Sequence, residues 1–399
     1  MKRKLTLSLA LVIICMMGGI TGVFAQDGPA VTEVPNVKIV MDGVITPYEF
    51  VPINVSSRTM LPLRELLINL GVPNDDEHIA WNGQEKSVTI YKGDTKIYLK
   101  VDSKTAYVND QPMEMDVAPV HYLKNEKVYI PLKFVSDNLG KKVVWDGSSN
   151  AVLIRDTAEY NRVKDIFDKS QAAMKDIKKY RMTMDIKAGF KSEQMSMNMG
   201  VNATGEYDMT AKKLHLIMSM NFLGMDIKTE TYYADNASYT HNPLTSGWEK
   251  ETYTPFEYDE NFSEQSDTVM PEASEPLYAG LVAIQGTDGD ETILKGDVYF
   301  KELFDKAMEE SENPSASPEQ TMEFDKFYME IVVDNQTNLI KSLKMSVVGT
   351  EIIEDAEMPI TVDIGVALSD FNGAFEVTVP EEVLNSAEEI TADDEDDEY

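Results

Sequence analysis

Twenty-three methionines stand in this 399-residue chain against one cysteine, Cys15. Several recur at every second position: Met182 and Met184, then Met195, Met197 and Met199, then Met218 and Met220. Spacing of two puts alternate side chains on one face of a strand, here with Ser196 and Asn198 on the other. Thioethers are soft ligands that suit Cu(I), so copper binding is one chemistry this pattern could serve. The other is physical. Methionine fills irregular apolar space, so Met195, Met197, Met199, Met218 and Met220 would line a core, or a cavity that accepts varied apolar ligands such as lipid. Core or cavity lining is the better reading, because period two over whole strands is what the dry face of an antiparallel sheet requires.

No other constellation carries chemistry. The four histidines, His78, His121, His215 and His241, are scattered and form no His-x-His pair. Asp288-Gly289-Asp290-Glu291 lacks the alternating acids, sixth-position glycine and twelfth-position glutamate of a calcium loop, and reads as an acidic surface turn. A Gly-x-Ser-x-Gly elbow and a phosphate-binding glycine loop are both missing from the sequence. A non-enzymatic protein with no cofactor and no metal site is expected.

The first 25 residues have the form of a secretory leader: Lys2-Arg3-Lys4, an apolar run from Leu5, and Val23-Phe24-Ala25 before Gln26. Cleavage is expected between Ala25 and Gln26. The rival reading is an uncleaved anchor, which Gly18, Gly19 and Gly22 weaken as a helix. Ile14 is too bulky to precede a lipid-attachment cysteine. Losing Lys2, Arg3 and Lys4 would move the formal net charge from −33 to −36. So acidic a chain repels nucleic acid, which is excluded as a partner, and lacks any disulfide scaffold. The expected location is secreted, on the extracellular face of a bacterial cell envelope, with cell-wall or envelope components as partners.

The elements that position these residues begin with an internal repeat. Thr59-Met60-Leu61-Pro62-Leu63-Arg64 through Leu70-Gly71 matches Val128-Tyr129-Ile130-Pro131-Leu132-Lys133 through Leu139-Gly140. Trp81-Asn82-Gly83 through Ile90 likewise matches Trp145-Asp146-Gly147 through Ile154. Each copy reads as strand, helix and hairpin, with proline at the first helical position and glycine as a left-handed stop. Leu63, Leu66, Leu67 and Leu70 make one apolar helix face, as do Leu132, Val135 and Leu139. The Asn-Gly and Asp-Gly pairs signal tight turns. Trp81 and Trp145 are expected at equivalent core positions, each on its own copy's helix.

On those motifs, residues 36–156 resemble the copper amine oxidase N-terminal-like (stalk) domain. Lys133 stands where that family usually has arginine. The resemblance implies an accessory module of envelope proteins, without catalytic residues. A copper amine oxidase itself would need three copper-binding histidines and a quinone-forming tyrosine in an Asn-Tyr-Asp/Glu context, and that context does not occur.

From Thr157 the pattern changes. A helix is expected over Tyr160–Lys179, then alternating strands through Trp248, a proline-interrupted acidic loop from Glu251 to Leu294 with one short helix near Leu277–Ile284, and a helix over Tyr299–Glu310. Strands follow at Phe324–Val333, Leu339–Val348 and Ile360–Leu368, and Val377–Pro380 is expected to close the sheet. The last 19 residues, 381–399, hold ten acids and no base, so the tail, 386–399, is expected to be disordered. Residues 158–385 resemble lipoprotein-carrier (LolA/LppX-like) half-barrels, which implies an apolar ligand cupped between sheet and helix. The expected fold is therefore α+β. A leader (1–25) and linker (26–35) precede a small two-repeat antiparallel sheet domain with two helices (36–156), a larger antiparallel half-barrel with packed helices (157–385) and the tail. The expected function is a secreted, non-catalytic envelope protein that binds an apolar ligand. The alternatives are a purely structural surface protein, or a methionine-rich copper binder.

Overall fold

The computed structural model describes residues 31–390 apart from 148, 192–195, 223, 267–273, 288, 298–320 and 354–355. The leader, Met195, the helix expected over residues 299–310 and residues 391–399 lie outside the described residues.

The two repeat copies meet strand to strand. Arg58–Pro62 and Lys127–Pro131 pair antiparallel with Leu61 opposite Ile130, and Met60 and Pro62 face Pro131 and Tyr129. Equivalent residues thus exchange places about a local two-fold axis. Each strand runs into a short helix, α1 (Leu63–Asn69) or α2 (Leu132–Asn138). Pro62 and Pro131 end the strand and occupy the cap position rather than the first helical turn. Gly71 (φ +81°) and Gly140 (φ +80°) stop the helices in the left-handed region, as their sequence position implies.

The two hairpins differ from expectation. Four residues, not two, separate Asn82 from Ser87 and Asp146 from Ala151. The left-handed residues are Lys86 (φ +52°) and Asn150 (φ +51°), while the glycines lie beside the indole nitrogens of Trp81 and Trp145. Both tryptophans also depart from the core. They are equivalent and on the helix side, but Trp81 is 45% and Trp145 52% exposed. The reason is topological: Ile79–Asn82 and Lys141–Asp146 are edge strands, with nothing beyond to cover a large ring. Trp81→Ala is therefore expected to lower unfolding free energy by only about 1 kcal/mol or less, read from urea midpoints, rather than the ~3–5 kcal/mol of a buried ring.

The strands of this region divide among three sheets. Two have five strands. The third runs Lys141–Asp146, Ala151–Asp156, Lys38–Met41, Val44–Ile45, and its central pair is parallel, Val152 opposite Ile39. The central strands of this third sheet are buried on both faces. Ile39, Met41, Val152 and Ile154 join α1 and α2 in one core. Val40, Val144, Ala151 and Leu153 join a second core built by the rest of the chain. Burial on both sides explains why Ala151-Val152-Leu153-Ile154 is uniformly apolar instead of alternating.

Asp156 ends that strand and at once caps α3 (Thr157–Lys175), its carboxylate accepting from the amides of Ala158 (3.0 Å) and Glu159 (3.3 Å). The helix therefore starts before Tyr160 and stops before Lys179, which opens a strand instead. Helices α4 (Pro255–Ser266) and α5 (Glu275–Gly280) follow, with strands Val282–Gln285 and Glu291–Asp297. The segment expected as acidic loop thus contains two helices and two strands among its described residues. Pro255 opens α4 where its missing N–H costs nothing.

These elements serve one twelve-stranded sheet. Its centre pairs Lys179–Lys191 with both Ser196–Asp208 and Ala356–Ser369, so the first long strand of the half-barrel meets the last. No strand forms at Val377–Pro380; the closing element is further on. The acidic tail begins with α6 (Glu381–Ser386) and a short strand, Glu388–Glu389, parallel to Trp248–Thr252. Charge explains this order: Lys250 Nζ lies 2.6 Å from Glu389, and Val383 is buried beneath α6.

On α3 the buried stripe is Tyr160, Val163, Phe167 and Ser170. Ser170 is completely buried, and its hydroxyl has no hydrogen-bond partner among the described residues. Ser170→Ala is expected to be neutral or to raise stability by about 1 kcal/mol, because it removes an unmet polar group. Denaturant titration would read it, and a loss above about 1 kcal/mol would reveal a hydrogen bond there.

Candidate ligand-binding face

The two faces of the large sheet differ sharply. One carries ion pairs: Arg181 with Glu206 (2.9 Å), Lys187 with Asp185 (2.8 Å) and Lys344 with Glu330 (3.4 Å). On the other, register aligns apolar residues across strands. Leu343, Val366, Met184, Ala203 and Met218 form one row. Met345, Ile364, Ile186, Val201, Met220 and Ile227 form the next, and Val347, Val362, Ala188 and Met199 a third.

Helices cover one end of this apolar face. Phe167 and Val163 of α3 and Leu277 of α5 pack with Phe327, Met329 and Ile331. Phe262 of α4 packs with Tyr180, Met182, Tyr207 and Leu214, and Met174 and Ile177 reach the same cluster. Tyr180 stacks on Tyr207 with ring centres 4.8 Å apart. The Tyr207 ring lies flat over Gly205, where a Cβ would come within 2.5 Å of it, and burial pushes its phenol up to about 12. This end is a filled core.

Further along the same face the cover supplied by the described residues thins. Ile186, Met199, Val201, Met218, Met220, Ile227 and Ile364 are half-buried. Met199 lies opposite Ala188, six residues along the strand from Met182, or about 20 Å at ~3.3 Å per residue. The core clusters that α3 joins include Met182 and Met184 but not Met199, Met218 or Met220. Of the five methionines singled out in the sequence, then, Met199, Met218 and Met220 come together on one face, beyond rather than beneath α3. Met197 falls opposite Phe190 in the register, and Met195 lies outside the described residues. Ile186 and Val201 belong to the same alternating runs as the methionines and Ile364 to the alternating run Ile360, Val362, Ile364, Val366 and Leu368, although spacing singled out only the methionines as candidate site residues.

Polar groups gather at the margins. Asp208, 7% exposed, accepts from the amides of Thr210 and Ala211 and lies 3.0 Å from Lys179 Nζ. Burial alone would raise its carboxyl, but these donors outweigh it and hold the group below its ordinary value of 3.8. A depressed carboxylate adds stability that is present above the ordinary value and lost as pH falls through the folded one. The gap in urea midpoint between the parent and Asp208→Asn is therefore expected to be full at pH 7 and to shrink below about pH 4. A gap that stays constant down to pH 2.5 would remove Asp208 from the account. On the ionic face, Glu230 accepts from Tyr232 (2.9 Å) and contacts His215 Nε2 (2.9 Å), and His215 stacks on Tyr232. No group of three or more His, Cys, Asp or Glu residues is placed to hold a metal among the described residues. Nor is any helix among them long and apolar enough to cross a membrane.

A half-covered apolar face on an antiparallel half-barrel, joined to a two-repeat α+β module, defines the class. The chain belongs to the Family of unknown function (DUF6612), whose model matches residues 162–388, and residues 40–154 match the copper amine oxidase N-terminal domain. Comparison with curated proteins gives no match. Among solved structures, the Mycobacterium tuberculosis lipoprotein LppX matches at 11% identity and TM-score 0.29, covering 55% of this chain and 99% of that one. A putative outer membrane lipoprotein-sorting protein domain from Vibrio parahaemolyticus matches at 8% identity and TM-score 0.20, covering 54% and 95%. The ywiB protein of Bacillus subtilis matches at 7% and 0.15, covering 48% and 92%. The likeness expected from the sequence thus recurs as a detectable match, and at these scores function must be read from this chain's own residues.

Proposed function

We propose that the open part of the apolar face binds an acyl chain, and that the protein is a non-catalytic, lipid-binding component of the cell envelope. The observation that carries this is the run Ile186–Val201–Met220–Ile227, continuous across four strands and part of none of the core clusters. Its members Ile186, Val201, Met220 and Ile227 are all half-buried, whereas Met345 and Ile364 at the end of the same row pack against the helix-covered cores. A purely structural sheet would close such a row beneath a helix, as it does at Met182. Binding would be driven by burial at about 25 cal/mol per Å2, and methionine would let the face adapt to chains of different shape. The copper reading is weaker, because Val201 and Ala203 stand between the methionines of neighbouring strands in the register.

A fluorescent fatty acid tests this reading. It is expected to bind the full chain, to lose binding with Met220→Glu, and to keep it with Ser219→Glu, which puts the same charge on the opposite face. Absence of binding to the parent chain, or equal binding by both variants, would refute the proposal.

A further inference from the structure

The exposed Trp145 opens a second, separate site. It borders a groove of about 430 Å3 where the second repeat copy meets residues 54–59 and 114–117, lined by Pro131, Leu132 and Phe134 together with Met115 and Val117. The volume lies in the ~300–1,000 Å3 range of small-ligand sites. Its rim is polar in a particular way. Arg58 Nε meets Asp116 at 2.6 Å, Lys133 Nζ meets Asp137 at 2.8 Å, and Asn54, Ser57, Thr59 and Glu114 add further polar groups.

These features select a ligand chemistry by elimination. A wholly apolar ligand would leave the Asn54, Ser57 and Thr59 groups without a counterpart. An anion would face three carboxylates against two cations. A neutral pyranose fits both requirements: its C–H face can lie on the electron-rich indole face, and its hydroxyls can both donate and accept at the planar Asp, Asn and Arg groups. We infer that the Trp145 groove binds a neutral oligosaccharide, with the indole as stacking platform and the Arg58–Asp116 and Lys133–Asp137 pairs as hydrogen-bonding rims. The lysine at position 133 makes its pair with Asp137 one turn along α2, so the rim is held within a single element. Nothing in this site depends on the acyl-binding face, and either can fail without the other.

Calorimetric titration of the full chain with chitotriose, cellotriose and maltotriose tests the inference. At least one of the three is expected to bind with a millimolar or tighter constant. Trp145→Ala is expected to weaken that binding about tenfold or more, while Trp81→Ala, equally exposed but outside the groove lining, leaves it unchanged. Asp116→Asn, which keeps the shape and breaks the ion pair, should weaken it as well. Binding of none of the three sugars would overturn the inference, and so would binding that survives Trp145→Ala.

Discussion

Phe167→Ala is expected to cost about 3–5 kcal/mol, the largest loss of any single truncation in α3. Phe167 is completely buried, and its ring meets Tyr278 edge-on at 5.8 Å, while Tyr160 meets the same tyrosine at 5.9 Å. The site lies where three elements converge: α3, α5 and the large sheet through Met329 and Ile331. None can move into the space without breaking the register of the others, so the cavity would remain largely open. Urea or thermal unfolding reads the effect. A loss under about 1.5 kcal/mol would show the α3–sheet end to be loosely packed, and would weaken the contrast with the open end of the same face.

Arg155→Ala should follow closely, with a loss of about 3 kcal/mol and a change in the shape of the transition. This side chain is 3% exposed. It donates through Nε to the Ala279 carbonyl (2.9 Å) and through a terminal nitrogen to that of Gly280 (3.1 Å). It thereby ties the last strand of the repeat module to the C-terminus of α5. The neighbouring strand comes so near that a Cβ on Gly296 would stand 2.1 Å from the Gly280 oxygen. Removing the guanidinium leaves both carbonyls buried and unpaired. Because Val144, Leu153, Tyr160 and Leu281 share one core across this junction, the parent chain should unfold in a single calorimetric transition, and Arg155→Ala in two. Two transitions in the parent would mean that the shared core does not couple the two parts.

Much of this architecture is legible because local rules and tertiary packing agree. The repeat announces itself in Leu-Pro-Leu-Arg and Ile-Pro-Leu-Lys, and the glycines after each helix adopt the positive φ that their position implies. Strands such as Leu214-Leu216-Met218-Met220 alternate because one face is dry and the other bears charge. The misses are those that only three-dimensional context decides. Tryptophan is apolar enough to read as core, yet the edge position of Lys141–Asp146 is invisible in sequence. The acidic run after Glu251 hides α4, whose anchors Tyr258 and Phe262 are spaced four apart among charges. The acidic composition gives no sign that Glu388–Glu389 pair with Trp248–Thr252, where Lys250 supplies a counter-charge to Glu389. For the candidate site, methionine spacing shows that Met199, Met218 and Met220 share a face, but not where along that face α3 packs.

Whether that open part holds a ligand is decided most directly by native mass spectrometry of the full chain purified from its own cells without detergent. The account predicts a population heavier than the bare polypeptide by the mass of an acyl lipid, released on collisional activation and lost in Met220→Glu. A single species at the polypeptide mass, unchanged after incubation with fatty acid, would contradict it.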